Sequence, residues 1–347
     1  MKTLITLTAL IMPTVCSCQE IQSRSYEFNV EVTNDSGIPI KDAFVTASKD
    51  VLRGTKPIPF SEPVRFTANT NNEGVAKLAF DSVHQPGGIL VEKSGYYLST
   101  SHANWLPLAE GAGSTTEIKT VLKPVKNPIP MVFHSSTGLH LREIGKEYAL
   151  DLELGEMLPP YGNGKVPDIL VKLEGQRMDN GPDQEEDIEF KATLRFSNPL
   201  DGFIEFEVEP KDGAKGSAFI SDYLAPENGY QSSLERIAVQ GKFLIRDRNA
   251  PYLLKLDRKA YYFRLRTKTD DNGKIISSNY GKIYGPINLH AGKKRKIFHP
   301  TILEAGLSIK DVYFNPNAND RNIECDTSKN LSKKTDEYGS SIRIDRP

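Results

Sequence analysis

The chain has 347 residues, 38% of them hydrophobic, which is enough to bury a substantial core and longer than most single domains, so two domains are expected. Lys and Arg total 44 against 45 Asp and Glu, a formal net charge of −1 that excludes the broad positive surface on which general nucleic-acid binding depends. With 14 Tyr and 15 Phe against 1 Trp, and 22 Pro and 26 Gly, the composition suits strands and turns better than helices and excludes a disordered chain.

At the N-terminus Lys2 supplies a positive end and Thr3 to Val15 (TLITLTALIMPTV) an apolar stretch. That stretch is too short for a bilayer, which takes roughly 20 apolar residues, and reads as an export signal over residues 1–17. Val15-Cys16-Ser17-Cys18 then resembles the lipobox of bacterial lipoproteins. The resemblance implies that Cys18 is lipidated on sulfur, becomes the mature N-terminus and holds the protein on a membrane; Gln19 after it implies the outer membrane. A plain secretory leader cut after Ser17 stays open beside it. A metal site is a poor reading, because two cysteines fall short of the four ligands of structural zinc and Cys325 is far away in sequence.

Beyond the leader, strict alternation predicts strands, each with one face buried. It runs through Tyr26, Phe28, Val30 and Val32; through Tyr148, Leu150, Leu152 and Leu154; and through Phe190, Ala192, Leu194 and Phe196. It continues in Ile204, Phe206 and Val208 and in Tyr261, Phe263 and Leu265. Asp271-Asn272-Gly273-Lys274 predicts an Asn-Gly hairpin turn with both central residues at positive φ. No long helical stripe occurs, so the expected fold is all-β, two β-sandwich-type domains joined by a proline-rich linker. Lys123 to Pro130 carries Pro124, Pro128 and Pro130, and prolines donate nothing to a sheet, so residues 123–130 are the expected connector. The domains are then 25–122 and 131–317, followed by a polar tail, 329–347, with little to bury.

Residues 25–122 resemble the carboxypeptidase-regulatory-like, transthyretin-like β-sandwich. The likeness rests on Val30-Glu31-Val32, Gly37-Ile38-Pro39-Ile40-Lys41-Asp42-Ala43-Phe44-Val45, Thr70-Asn71-Asn72-Glu73-Gly74-Val75-Ala76 and Ile89-Leu90-Val91-Glu92-Lys93-Ser94-Gly95-Tyr96-Tyr97, in that order. Ser48 to Ser61 is long for that family. The family is a non-catalytic module of many exported proteins, so the resemblance implies placement and adhesion. Residues 131–317 are similar to uncharacterised β-rich regions of bacterial surface proteins, which implies no activity.

Catalytic signatures are absent from the sequence: no G-x-S-x-G, no H-E-x-x-H, and no Gly-Lys pair followed by Ser or Thr. No catalytic residue, metal ligand or cofactor is therefore expected. His134 and His140 share strand parity, but six residues of strand span about 20 Å, too far to chelate one ion. Asp179 to Asp187 is acid-rich without a calcium-loop register and reads as a solvated loop. Three loops set Gly beside Tyr: Pro159 to Lys165, Ala225 to Tyr230 and Asn279 to Gly285. Each reads first as a turn packed by its own tyrosine, with an aromatic wall for a sugar as the alternative. Lys293, Lys294, Arg295 and Lys296 form the dense basic run; it reads as a hairpin tip, and alternatively as a contact for anionic glycans or headgroups.

These readings converge on a lipid-anchored envelope protein with a binding or scaffolding role. The expected partners are the membrane, through the anchor, and an envelope glycan or protein, but not nucleic acid. An anchored glycan hydrolase with a carboxylate pair in the second domain is the alternative, and an assembly partner of an envelope complex a further one.

Overall fold

A computed structural model describes residues 24–53, 60–82, 88–101, 115–178, 187–208, 214–240, 259–291, 305–334 and 347. Cys18, Lys293, Lys294, Arg295 and Lys296 lie outside them, as does most of the acidic loop. Every regular element among the described residues is a strand, and the protein is all-β.

The first sandwich uses β1 (Arg24–Asn34), β2 (Phe44–Arg53), β3 (Phe60–Asn69), β4 (Val75–Ser82), β5 (Gly88–Glu92), β6 (Ser99–Ser101) and β7 (Thr115–Leu122). One sheet has the order β4-β1-β7, and β1 and β7 run parallel, from Glu27 opposite Thr115 to Asn34 opposite Leu122. Alternation places Phe28, Val30 and Val32 of β1 and Ile118 and Leu122 of β7 in a core shared with Val45, Ala47, Ile89 and Val91 of the facing sheet. The segment that is long for the resembled family lengthens a hairpin, with β2 and β3 paired from Phe44–Asn69 to Arg53–Phe60.

The chain reverses at Gly74, where φ is +75° and a Cβ would meet the Val32 carbonyl at 2.6 Å, so no side chain fits. Asn71 Oδ1 completes that turn by accepting from the Glu73 and Val75 amides at 3.1 and 2.8 Å.

The second sandwich begins with β8 (Ile129–Leu141), β9 (Glu147–Asp151), β10 (Glu156–Met157), β11 (Ile169–Met178) and β12 (Asp187–Phe196). The chain continues with β13 (Gly202–Glu207), then β14 (Ala214–Ser217), which joins the first sandwich, and returns to the second with β15 (Ser233–Gln240), β16 (Lys259–Thr269) and β17 (Ile275–Ile283). β18 (Ile287–Ala291), β19 (Ala305–Phe314) and β20 (Cys325–Asn330) complete it. A sheet of order β10-β9-β11-β12-β15 faces one of order β13-β16-β17-β19-β8-β20, with β18 also on β19. Phe190, Leu194, Phe203, Tyr261, Phe263, Leu307 and Phe314 fill the space between them.

Three details differ from the sequence reading. The second face of β16 is not wet: Tyr262 and Arg264 are buried, and the Arg264 guanidinium donates to the Leu200 and Glu227 carbonyls of the overlying chain. Ile204 and Phe206 pack into small clusters with Tyr262, Tyr280 and Tyr284 on that outer face, while Phe203 enters the main core. In the Asp270–Lys274 turn only Gly273 has positive φ, at +79°. The cause is Asp270, whose side chain accepts from the Asn272 and Lys274 amides and draws the turn tighter than a two-residue Asn-Gly loop.

Candidate functional site

The expected connector is hydrogen-bonded along its length, because the polar groups that flank its prolines all find partners. Lys126 and Asn127 donate their amides to the two carboxylate oxygens of Glu324 at 2.7 and 2.6 Å. Asn127 O accepts from the Asn322 side chain at 2.7 Å, and Ile129 N donates to Glu324 O at 2.8 Å. The Pro124 carbonyl takes the Tyr223 hydroxyl at 2.6 Å, and the Lys126 ammonium lies 3.7 Å over the Tyr223 ring. From the first sandwich, Tyr97 also reaches Glu324, at 2.7 Å. Burial and then the Glu324 contact push the Tyr97 phenol far above its ordinary range, and burial pulls Lys123 down.

A second tie is made by main chain. β14 lies between β13 and β15 in sequence, yet it pairs antiparallel with β6, so the second sandwich's crossover supplies the edge strand of the first sandwich's five-stranded sheet. Ala218 N extends the tie to Leu98 O at 2.7 Å, and Phe219 then stacks on Tyr97 with ring centres 5.1 Å apart. Between them these contacts fix two sandwiches as one body.

Behind Phe219 sits Lys282 of β17, with no exposed surface. Its ammonium donates to Tyr284 Oη at 2.7 Å and Pro347 O at 3.0 Å, and lies 4.6, 4.4 and 4.9 Å from the ring centres of Phe219, Tyr284 and Tyr313. Burial drives the Lys282 pKa well down, and it pushes the neighbouring Cys325 thiol up to about 12, so the thiol stays protonated. Lys329 to Lys334, at the start of the expected polar tail, continue this region: Asn330 accepts from Phe133 N, and Lys334 Nζ donates to Gly155 O.

Two close carboxylates do occur in the second sandwich, around Arg266. This residue sits in a bulge of β16 at φ +56°. Its guanidinium meets Asp168 at 2.9 and 3.0 Å, Asp151 at 3.3 Å and Glu153 at 2.5 Å, while Asp201 accepts the Arg266 and Thr267 amides. Asp151 and Asp168 are buried, and their oxygens also hold the Leu152, Leu154, Lys165 and Val166 amides. Burial raises the Asp168 pKa against the opposing pull of Arg266. With their lone pairs spent on main chain and one shared cation, this pair organises loops.

His134 and His140 do not converge either: His134 is buried with Nε2 2.8 Å from Glu153 O, and burial lowers its pKa, while His140 is exposed further along β8. Among the described residues no group of three or more His, Cys, Asp or Glu is arranged to hold a metal ion, and no helix is long and apolar enough to cross a membrane.

Two of the three Gly-Tyr loops meet. Ala225 to Tyr230 and the β17 segment around Tyr280 border an open groove of 530 Å³, lined by Glu227, Lys274, Ile276, Tyr280 and Arg321. Tyr230 packs on its own turn, its hydroxyl donating to Pro226 O at 2.7 Å; Tyr161 lies against Tyr148, and Tyr284 belongs to the Lys282 cluster. Sequence reasoning named the loops but missed Lys274 and Arg321, which come from a hairpin tip and from the chain between β19 and β20.

No family model matches the chain, and no curated protein matches it. Among solved structures it is similar to a candidate membrane-associated protein of unknown function from Bacteroides fragilis, 11% identical, covering 85% of this chain and 99% of that one at a TM-score of 0.15.

Proposed function

We propose that this is a lipid-anchored envelope protein that acts as a rigid scaffold, attached at Cys18 to the outer membrane and holding its second sandwich clear of the membrane surface.

 The carrying observation is the parallel pairing of β1 and β7. It puts the leader end of β1, at Arg24, and the exit of β7 into the joint, at Leu122, at opposite poles of the first sandwich. At about 3.3 Å per residue, the length of β1 separates them by roughly 30 Å. The clamped connector and the shared β14 strand hold the second sandwich at that far pole, as a flexible hinge would not. The resemblance of residues 25–122 to a non-catalytic module of exported proteins supports the same reading, and several acyl chains suffice for durable attachment.

Labelled fatty acid should enter the wild type and vanish in Cys18→Ser. On vesicles, a dye at Ser25→Cys should be quenched strongly by a headgroup acceptor and a dye at Asn272→Cys weakly. Label retained in Cys18→Ser overturns the anchor, and equal quenching of the two dyes overturns the spacer.

A further inference from the structure

The groove beside Tyr280 carries more hydrogen-bond donors than the protein itself uses. Lys274 is exposed and has no acidic partner among the described residues. The Tyr280 hydroxyl and the Asn228 side chain likewise have no hydrogen-bond partner there. Arg321 spends Nε on the Ala225 carbonyl at 2.6 Å and Nη1 on Glu227, which leaves Nη2. Glu227, the carboxylate of the lining, is occupied by that ion pair. A concavity with unspent ammonium, guanidinium, amide and phenol donors is complementary to a ligand rich in acceptors and negatively charged.

The groove also discriminates between kinds of acidic ligand. A peptide could enter by adding a strand beside the first half of β17, which β19 leaves unpaired, since β19 joins only at Gly281 to Ile283. Asn319 closes that route. Its main chain donates to Ser278 O at 2.8 Å, its side chain accepts from Ser278 N at 3.1 Å and donates to Ile276 O at 2.9 Å, so the edge is already satisfied. Recognition is left to side chains. Ile276, 53% exposed, offers an apolar surface to the C–H face of a sugar ring, and Asn228 can both donate to and accept from hydroxyls.

We infer that this groove is a binding site for an acidic saccharide, its carboxylate held between Lys274 and Arg321 and its hydroxyls by Tyr280 and Asn228. The site deepens the binding side of the scaffold reading, but it does not depend on the lipid, so the two can fail separately. The test uses the full mature chain as the unlipidated Cys18→Ser protein, titrated calorimetrically with trigalacturonate, with neutral maltotriose and with triglutamate. Trigalacturonate should bind saturably and at least tenfold more tightly than either control. Lys274→Gln should weaken it at least fivefold, and Tyr280→Phe twofold or more, with melting temperatures close to that of the parent. Absence of saturable binding, indifference to Lys274→Gln, or equal binding of triglutamate would each overturn the site. Equal binding of maltotriose would overturn the role given to charge.

Discussion

The Tyr97 hydroxyl of the first sandwich donates at 2.7 Å to the buried carboxylate of Glu324 in the second, and the same carboxylate holds the Lys126 and Asn127 amides. One side chain therefore joins both sandwiches and the segment between them. Removing it strands three donors, each costing on the order of 1 to 3 kcal/mol if left unsatisfied.

Glu324→Ala should consequently split a single calorimetric unfolding transition into two and expose the Lys126–Asn127 bond to trypsin. In the wild type that bond should resist cleavage, and Lys123 is shielded further by the proline that follows it. Rapid tryptic cutting after Lys126 in the native wild type would sink the clamp.

Gly37 and Gly74 separate two effects that usually travel together. Both have positive φ, +77° and +75°, but an added Cβ meets nothing within 4 Å at Gly37 and the Val32 carbonyl at 2.6 Å at Gly74. Gly37→Ala should cost about 1 to 2 kcal/mol, the price of the left-handed backbone alone. Gly74→Ala should cost clearly more, read from denaturant midpoints at constant slope. Equal losses would mean that the β1 to β4 packing yields freely.

Lys282 gives stability a pH dependence whose sign can be worked out. Burial lowers its folded pKa well below 10.5, so between the two values the unfolded chain binds the extra proton. The contribution of this group is thus present above the unfolded value and lost as pH falls through the folded one. Glu324 and Lys123 act on the same ammonium, Glu324 opposing the shift and Lys123 adding to it, while the protonated Cys325 thiol beside it carries no charge in this range. Comparing wild type with Lys282→Met by chemical denaturation, the difference should move in favour of the wild type from pH 8 to about 10. A flat difference, or one of opposite slope, would show that the ammonium is not desolvated.

Around Arg266 the expectation is a coupling. Arg266→Met leaves buried Asp151 and Asp168 without their cation and should cost about 3 to 5 kcal/mol. Adding Asp168→Asn to that variant should recover part of the loss, because the uncompensated buried charge is then gone. A double-mutant cycle in urea checks this; strict additivity of the two changes would rule the coupling out.

Much of the fold is legible in the sequence because it follows from alternation. Phe28, Val30 and Val32, or Phe190, Ala192 and Leu194, have one core to face, and period two identifies it. Legibility fails where a strand is buried on both sides. In Met131 to His134, and in Val312 to Phe314 of β19 opposite Val132 to His134, consecutive residues are all buried, because the outer face of the seven-stranded sheet is covered by the crossover after β13. Glu324 carries no local signal because its carboxylate partners come from segments distant in sequence, and Lys282 none because, Tyr284 apart, the groups that bury and hold it do too. β9 ends at Asp151, short of the alternation that runs to Leu154, because the Asp151 side chain takes the Leu154 amide and turns the chain. The groove was half visible: its loops announce themselves by Gly and Tyr, whereas the closure of the β17 edge by Asn319 is a tertiary event.

The loan of β14 to the first sandwich also sets an order of events during synthesis. Ribosomes release β6 more than a hundred residues before β14. Throughout that interval the sheet β6-β5-β2-β3 ends in an unpaired strand, the kind of edge on which other chains nucleate. Maturation of the N-terminal half must therefore wait for chain that belongs to the C-terminal half, which ties the two into one slow, long-range folding step. A nascent chain arrested between the two strands would be an aggregation hazard, and guarding that edge is a natural task for a holding chaperone.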